Sequence, residues 1–402
     1  MRRILRLLIL IVALLWLGRP AAGAVEGQAA QAVEYTFGGQ VQFRLALAAD
    51  QAPSAVQVFL RNQGDEQVWS GAMTLAGSEA VYVHDLTQHP LRAFSTVEYW
   101  FSITPQTGEA HTTEIKSFLY LDNRYQWQVI DDTAFRIHWY EGDASFGESL
   151  LAAARQGAER AFSLLPVSQS QPVDIYVYAS GKELQSTLRL GGLNWVAGHA
   201  DPELSLMVVS LPAGPDQKRE TERQIPHELM HILLYQTVGE GYALLPTWFK
   251  EGLASANELS PNPDYFKILT TAVEDEALIS LSQLCQSFPQ DTSVYLAYAE
   301  SDRFVRYLHE KYGAQGLGGL LQSYAGGESC ELGPQAALGL PLERLENDWR
   351  REELGEFAML SALMNMLPWM LVLGLALLVP MATLLFSMRK GAAKKGAKVS
   401  YG

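Results

Sequence analysis

Only two cysteines, Cys285 and Cys330, occur in the 402 residues of this chain. Neither has zinc-finger or dithiol-redox spacing, so a cysteine-built metal knot and a thiol-exchange site are both excluded. No Asn-x-Ser/Thr triplet is present, and N-glycosylation is therefore not implied. Basic residues are scarce: 30 Lys and Arg stand against 44 Asp and Glu, a net charge of −14. Setting aside the four arginines up to Arg19 and the five basic residues after Met388 leaves −23 for everything between. A surface of that sign argues against nucleic acid or anionic lipid as its partner and favours solubility. Internal repeats are absent, and the one biased stretch, the Gly/Ala/Lys run at 391–398, reads as disordered.

Charge is also missing from two apolar runs. The first, Leu7 to Leu17, follows Arg2, Arg3 and Arg6 and precedes Ala22-Gly23-Ala24. A basic start, a short apolar run and a small-residue cleavage site predict a secretory signal peptide over residues 1–24; an uncleaved anchor is the other reading. The second run, 357–388, contains no charged residue. As helix it would measure about 48 Å, against a hydrocarbon core of roughly 30 Å. A C-terminal transmembrane helix is expected at 368–388, opening at Pro368 and tolerating Pro380. Arg389, Lys390, Lys394, Lys395 and Lys398 then make 389–402 a basic tail, which the positive-inside rule assigns to the cytoplasm. The expectation is a single-pass cell-membrane protein with its N-terminal ectodomain outside. In an oxidising exterior Cys285 and Cys330 can pair, closing a loop of about 45 residues for at most about 4 kcal/mol. Two buried free thiols are the alternative.

The chemistry-bearing motif is His227-Glu228-Leu229-Met230-His231. Residues four apart share a helix face, so His227 and His231 can offer two imidazole nitrogens to one metal ion. Glu228, one step around, is placed to take a proton from a water held by that metal. An amphipathic helix with two satisfied histidines is the plain competitor. Pro226 precedes the motif, which predicts a helix from about Pro226 to Gln236 with the proline at its first position. Gly239 and Gly241 are the expected terminators.

A second helix start follows at Pro246-Thr247-Trp248-Phe249-Lys250-Glu251-Gly252-Leu253-Ala254. Here the chain resembles the gluzincin metallopeptidases, thermolysin-like and membrane-alanyl-aminopeptidase-like enzymes of the peptidase MA type. In that family the third ligand is a glutamate in a Trp-x-x-Glu-Gly-x-Ala-like segment. Nineteen residues separate His231 from Glu251, as in the thermolysin-type interval. The resemblance implies one zinc ion per chain, held by His227, His231 and Glu251. Two histidines and a carboxylate give three ligands and leave a position for water, as catalytic zinc requires. It further implies a tyrosine near the metal on a later helix. Tyr298 is the candidate and Tyr295 the runner-up, a hydroxyl there serving the developing oxyanion. Aromatic residues at this spacing also serve as core.

The resemblance is not complete. Thermolysin-like enzymes place an aspartate four residues after the ligand glutamate, where this chain has Ser255. Glu258 is a candidate to orient a histidine instead, or a surface charge. His199, in Gly198-His199-Ala200-Asp201, reads as structural. No Gly-x-Met-Glu-Asn element, the aminopeptidases' grip on a free amine, occurs. Internal cleavage is therefore expected over aminopeptidase action.

Alternating apolar residues in the first part of the chain, such as Val41, Phe43, Leu45 and Val56, Val58, Leu60, predict half-buried antiparallel strands. Residues 33–120 are expected to form a small β-sandwich, Ig- or FnIII-like. Residues 126–354 read as an α+β, gluzincin-like (thermolysin-like) catalytic domain, strands first and helices after. The expected function is zinc-dependent hydrolysis of a peptide or protein substrate, with the membrane engaged through the C-terminal helix; no oligomeric state is implied. A non-catalytic, metal-containing cell-surface binding protein on a peptidase scaffold is the competitor. Intramembrane proteolysis is excluded, since six charged residues lie between Asp216 and Gln224, just before the motif.

Overall fold

The computed structural model describes residues 31–47, 53–190, 198–355, 366–370 and 372–373. They fall into two compact units, Met1–Gln126 with Gln185–Trp195, and Trp127–Leu184 with Val196–Gly402.

The first unit is a two-sheet sandwich. One sheet takes β1 (Gln31–Thr36), β2 (Gln40–Ala46), β6 (Glu79–Asp85) and β5 (Thr74–Ala76) in that order. The other takes β4 (Trp69–Ala72), β3 (Ala55–Asn62), β7 (Thr96–Thr104) and β8 (His111–Thr112), with β9 (Lys116–Leu119) also on β7. Every pairing is antiparallel. The two-residue period of a strand sends Val41, Phe43, Leu45, Val56, Val58, Leu60, Val97, Tyr99 and Phe101 into one core, each of them buried.

The second unit opens on a mixed sheet ordered β10 (Gln128–Asp131), β11 (Phe135–Trp139), β12 (Val173–Tyr178), β14 (Leu206–Ser210), β13 (Gly198–Asp201). The three central strands are parallel and both edges antiparallel. Helix α1 (Ala144–Leu164) joins β11 to β12, its start capped by Asp143, whose carboxylate accepts from the Phe146 N–H. A short helix, α2 (Gly181–Leu190), follows β12. The remaining helices are α3 (Gln217–Val238), α4 (Thr247–Asn257), α5 (Asp264–Glu274), α6 (Val294–Ala325), α7 (Gly333–Leu338) and α8 (Leu342–Glu352). Cys285 and Cys330 are disulfide-bonded.

Pro226 corrects one expectation. The motif helix does not begin there; α3 starts nine residues earlier and carries Pro226 inside it. A proline in a helix lacks the N–H that would reach the carbonyl four residues back. That carbonyl, Glu222 O, accepts from the Leu259 N–H at 2.9 Å, so no acceptor is stranded. The charged stretch before the proline is held as helix partly by side-chain pairs one turn apart, Lys218 with Glu222 and Arg223 with Glu220. Pro226 then seats against Gly157 of α1, where a Cβ would lie 3.0 Å from the proline ring.

Among the described residues no helix is long and apolar enough to cross a membrane. The expected signal peptide 1–24, tail 389–402 and nearly all of the span 368–388 lie outside the described residues.

Candidate metal centre

His227 and His231 project from one face of α3, their rings 5.4 Å apart. Glu251 reaches them from the second turn of α4. Its Oε2 lies 3.6 Å from His227 Nε2 and 3.8 Å from His231 Nε2, and the three donor atoms fall within 4.8 Å of one another. Four tetrahedral donors at zinc bond lengths would be about 3.4 Å apart, so the trio fits such an ion with little adjustment. All three side chains are mostly buried. No other group of three or more metal-binding side chains stands among the described residues.

Gly252 sets how closely α4 approaches α6. A Cβ there would lie 2.5 Å from Ser301 O and 2.6 Å from Val305 Cγ2, so only glycine permits this contact. The same approach brings Tyr298 of α6 to the site. Its ring is 6.4 Å from that of His227, and its hydroxyl lies in the field of Glu251. Burial, reinforced by the Glu251 and Glu228 charges, pushes the Tyr298 pKa up, which keeps the proton on the hydroxyl. Tyr295, the runner-up, is 60% exposed on the same helix.

With both Nε2 atoms facing Glu251, each Nδ1 faces away and finds its own partner. His227 Nδ1 lies 3.0 Å from Glu258 Oε1, and Glu258 is only 3% exposed. It is therefore no surface charge, and it stands where a histidine-orienting carboxylate is needed. His231 Nδ1 lies 3.1 Å from the Tyr242 hydroxyl. Tyr242 sits in the 3-10 turn Gly239–Leu244 between α3 and α4, with the Lys250 ammonium 5.0 Å over its ring. Sequence reasoning passed over Tyr242, because no helical or strand period marks a residue in a turn.

His199 lies on the edge strand β13, paired with Val208 of β14. The backbone N–H of its neighbour Ala200 favours the ionised form of Glu228. The edge strand thus borders the motif, a proximity that short Gly198–Asp201 does not advertise in sequence.

The electrostatics separate the two glutamates. Burial raises Glu228 to about 7, with the Glu251 charge adding to it and the His227 ring and Ala200 N–H opposing. Burial would also raise Glu251, but His231 and His227 outweigh it and hold that carboxyl at about 2. His231 is lowered to about 4, first by burial. Burial opposes charge on His227, yet Glu251 and Glu258 prevail and raise its pKa. Burial and the like charge of Glu251 thus oppose ionisation of Glu228, while the two imidazoles favour ionisation of Glu251.

Several known proteins are similar to this chain. An M1 zinc metallopeptidase from Deinococcus radiodurans is 12% identical, covering 77% of this chain and 89% of its own, with a TM-score of 0.37. An aminopeptidase N family protein from Idiomarina loihiensis is 10% identical, covering 78% and 74%, with a TM-score of 0.36. The crystal structure of a Br derivative of BhCBM56 is 21% identical, covering 23% of this chain and 91% of its own, with a TM-score of 0.19. No curated protein matches. The family model of the Peptidase MA superfamily matches residues 153–354, a stretch that takes in α3, α4, α6 and all three converging donors. With half of its length matched by that model, the chain belongs to the Peptidase MA superfamily.

Proposed function

We propose that the protein is a zinc metallopeptidase that hydrolyses peptide bonds in peptide or protein substrates. The observation that carries this reading is the convergence of His227 Nε2, His231 Nε2 and Glu251 Oε2 from two helices, with Glu228 beside them. A bound zinc ion supplies Lewis acidity there and makes a water nucleophilic near neutral pH. Glu228, whose ionised form the Ala200 N–H favours, takes the proton of the attacking water and passes it to the leaving nitrogen. Tyr298 donates its retained proton as a hydrogen bond to the carbonyl oxygen as charge develops on it. Glu258 and Tyr242 fix the two imidazole rings from behind.

Internal cleavage is the finer reading, supported by the lack of a Gly-x-Met-Glu-Asn element. A single-pass anchor with the catalytic unit outside the cell is a further part of the proposal. It is supported by the uncharged run 357–388, the basic residues that follow it and the acidic balance before it.

Digestion of a peptide library by the purified ectodomain, with and without a zinc chelator, tests the catalytic reading. Chelator-sensitive cleavage of amino-terminally acetylated peptides is the expected result. Cleavage confined to free amino termini would overturn internal action alone. Stoichiometric zinc without any cleavage would favour the competing reading of a metal-containing binding protein.

A further inference from the structure

We infer that the Cys285–Cys330 disulfide positions Glu251 for the metal, because its two halves hold consecutive residues of the first turn of α4. Cys285 supplies its backbone carbonyl, which accepts from the Thr247 N–H at 2.8 Å. Cys330 supplies its sulfur, which accepts from the Trp248 indole N–H at 3.3 Å. The inference rests on the zinc reading above.

The first turn of a helix has N–H groups without intrahelical partners, and a capping side chain commonly satisfies them. The residue at the cap of α4 is Pro246, which offers no side-chain acceptor. The Cys285 carbonyl takes that part for Thr247. Glu251 follows Thr247 by four residues and Trp248 by three, so it projects from the same side of the helix one turn on. A metal ligand must be placed to within a few tenths of an ångström, which makes the third donor sensitive to any play in that turn. Trp248 is fully buried against Phe249, Phe304 and Tyr324, and the Cys330 sulfur is the partner of its indole N–H. The cross-link ties residue 285, ahead of α6, to residue 330, behind it, so both holds share one covalent brace.

Zinc affinity, read by competition with a chromogenic chelator, tests the inference on the full chain. A water-soluble phosphine breaks the S–S bond, giving two thiols and the phosphine oxide, with the oxygen and both protons taken from water. The reduced protein should bind zinc at least tenfold more weakly, regain affinity on reoxidation, and show faster amide exchange at 247–251. A second variant leaves the cross-link intact. Thr247→Pro removes the N–H given to Cys285 and turns the ring Cδ toward that carbonyl, which drives the two apart, at a position where proline suits a helix start, and Pro246, at ψ 144°, already has the backbone that a residue before proline needs. Its zinc affinity should fall three- to tenfold while its thermal unfolding stays cooperative. If reduction unfolds the chain, this variant decides the matter alone. Unchanged zinc affinity in Thr247→Pro, and in the reduced protein where it stays folded, would overturn the inference. Absence of zinc binding by the oxidised wild type would instead overturn the metallopeptidase reading.

Discussion

Glu258 Oε1 sits 3.0 Å from His227 Nδ1, seven residues beyond Glu251 and on the far side of the imidazole from it. The carboxylate fixes the ring so that Nε2 faces Glu251, and its charge makes that nitrogen a better donor. Glu258→Gln keeps the shape and removes the charge. Zinc affinity should fall on the order of 10- to 100-fold, as is usual for such outer partners. Competition against a chelator of known affinity measures it.

In the proposed mechanism Tyr298 acts on the transition state, its buried hydroxyl keeping its proton beside the Glu251 and Glu228 charges. Tyr298→Phe should lower kcat on the order of a hundredfold while KM and zinc content stay close to wild type. Steady-state kinetics with parallel metal analysis separate this from a structural role, which would move all three.

Gly252 carries no function of its own, yet a methyl group there meets backbone. Gly252→Ala forces α4 away from Ser301 and Val305, at a cost of about 1–3 kcal/mol for an overpacked contact. Because Glu251 is the adjacent residue, the same variant should also bind zinc more weakly. Urea unfolding with and without zinc reads both effects.

Asp132 organises the turn between β10 and β11. Burial would raise its pKa, but the Ala134 and Phe135 N–H groups and Arg155 lower it below the usual 3.8. A carboxyl with a depressed folded pKa stabilises the fold above its unfolded value and loses that contribution as pH falls through the folded one. Wild type should therefore exceed Asp132→Asn in stability at neutral pH, and the gap should close as pH drops below 3.8. Denaturant melts across that range follow the difference.

The three converging donors were legible because each part of the pattern is local. A spacing of four puts His227 and His231 on one face, and Trp248 to Ala254 marks a second helix whose position is set by Pro246. The sandwich strands were legible for a similar reason, since period-two residues such as Val41, Phe43 and Leu45 show which face is buried. What sequence did not disclose depends on distant partners. Pro226 reads as a helix start until Leu259 is seen to take the Glu222 carbonyl. Glu258 stays open between a histidine-orienting carboxylate and a surface charge, and Tyr242 looks like a turn aromatic, until α3 and α4 are docked. The β13 edge strand carries only four residues, too few for a pattern, and gains its meaning from lying beside Glu228.

The central claim is that Glu228 is the base of a metal-dependent peptidase. Peptide cleavage by wild type and Glu228→Gln, each with its zinc content measured on the same sample, tests it most directly. Both proteins should hold one zinc per chain, and the variant should lose activity by about a thousandfold or more. A variant that binds zinc and cleaves peptides at the wild-type rate would contradict the mechanism.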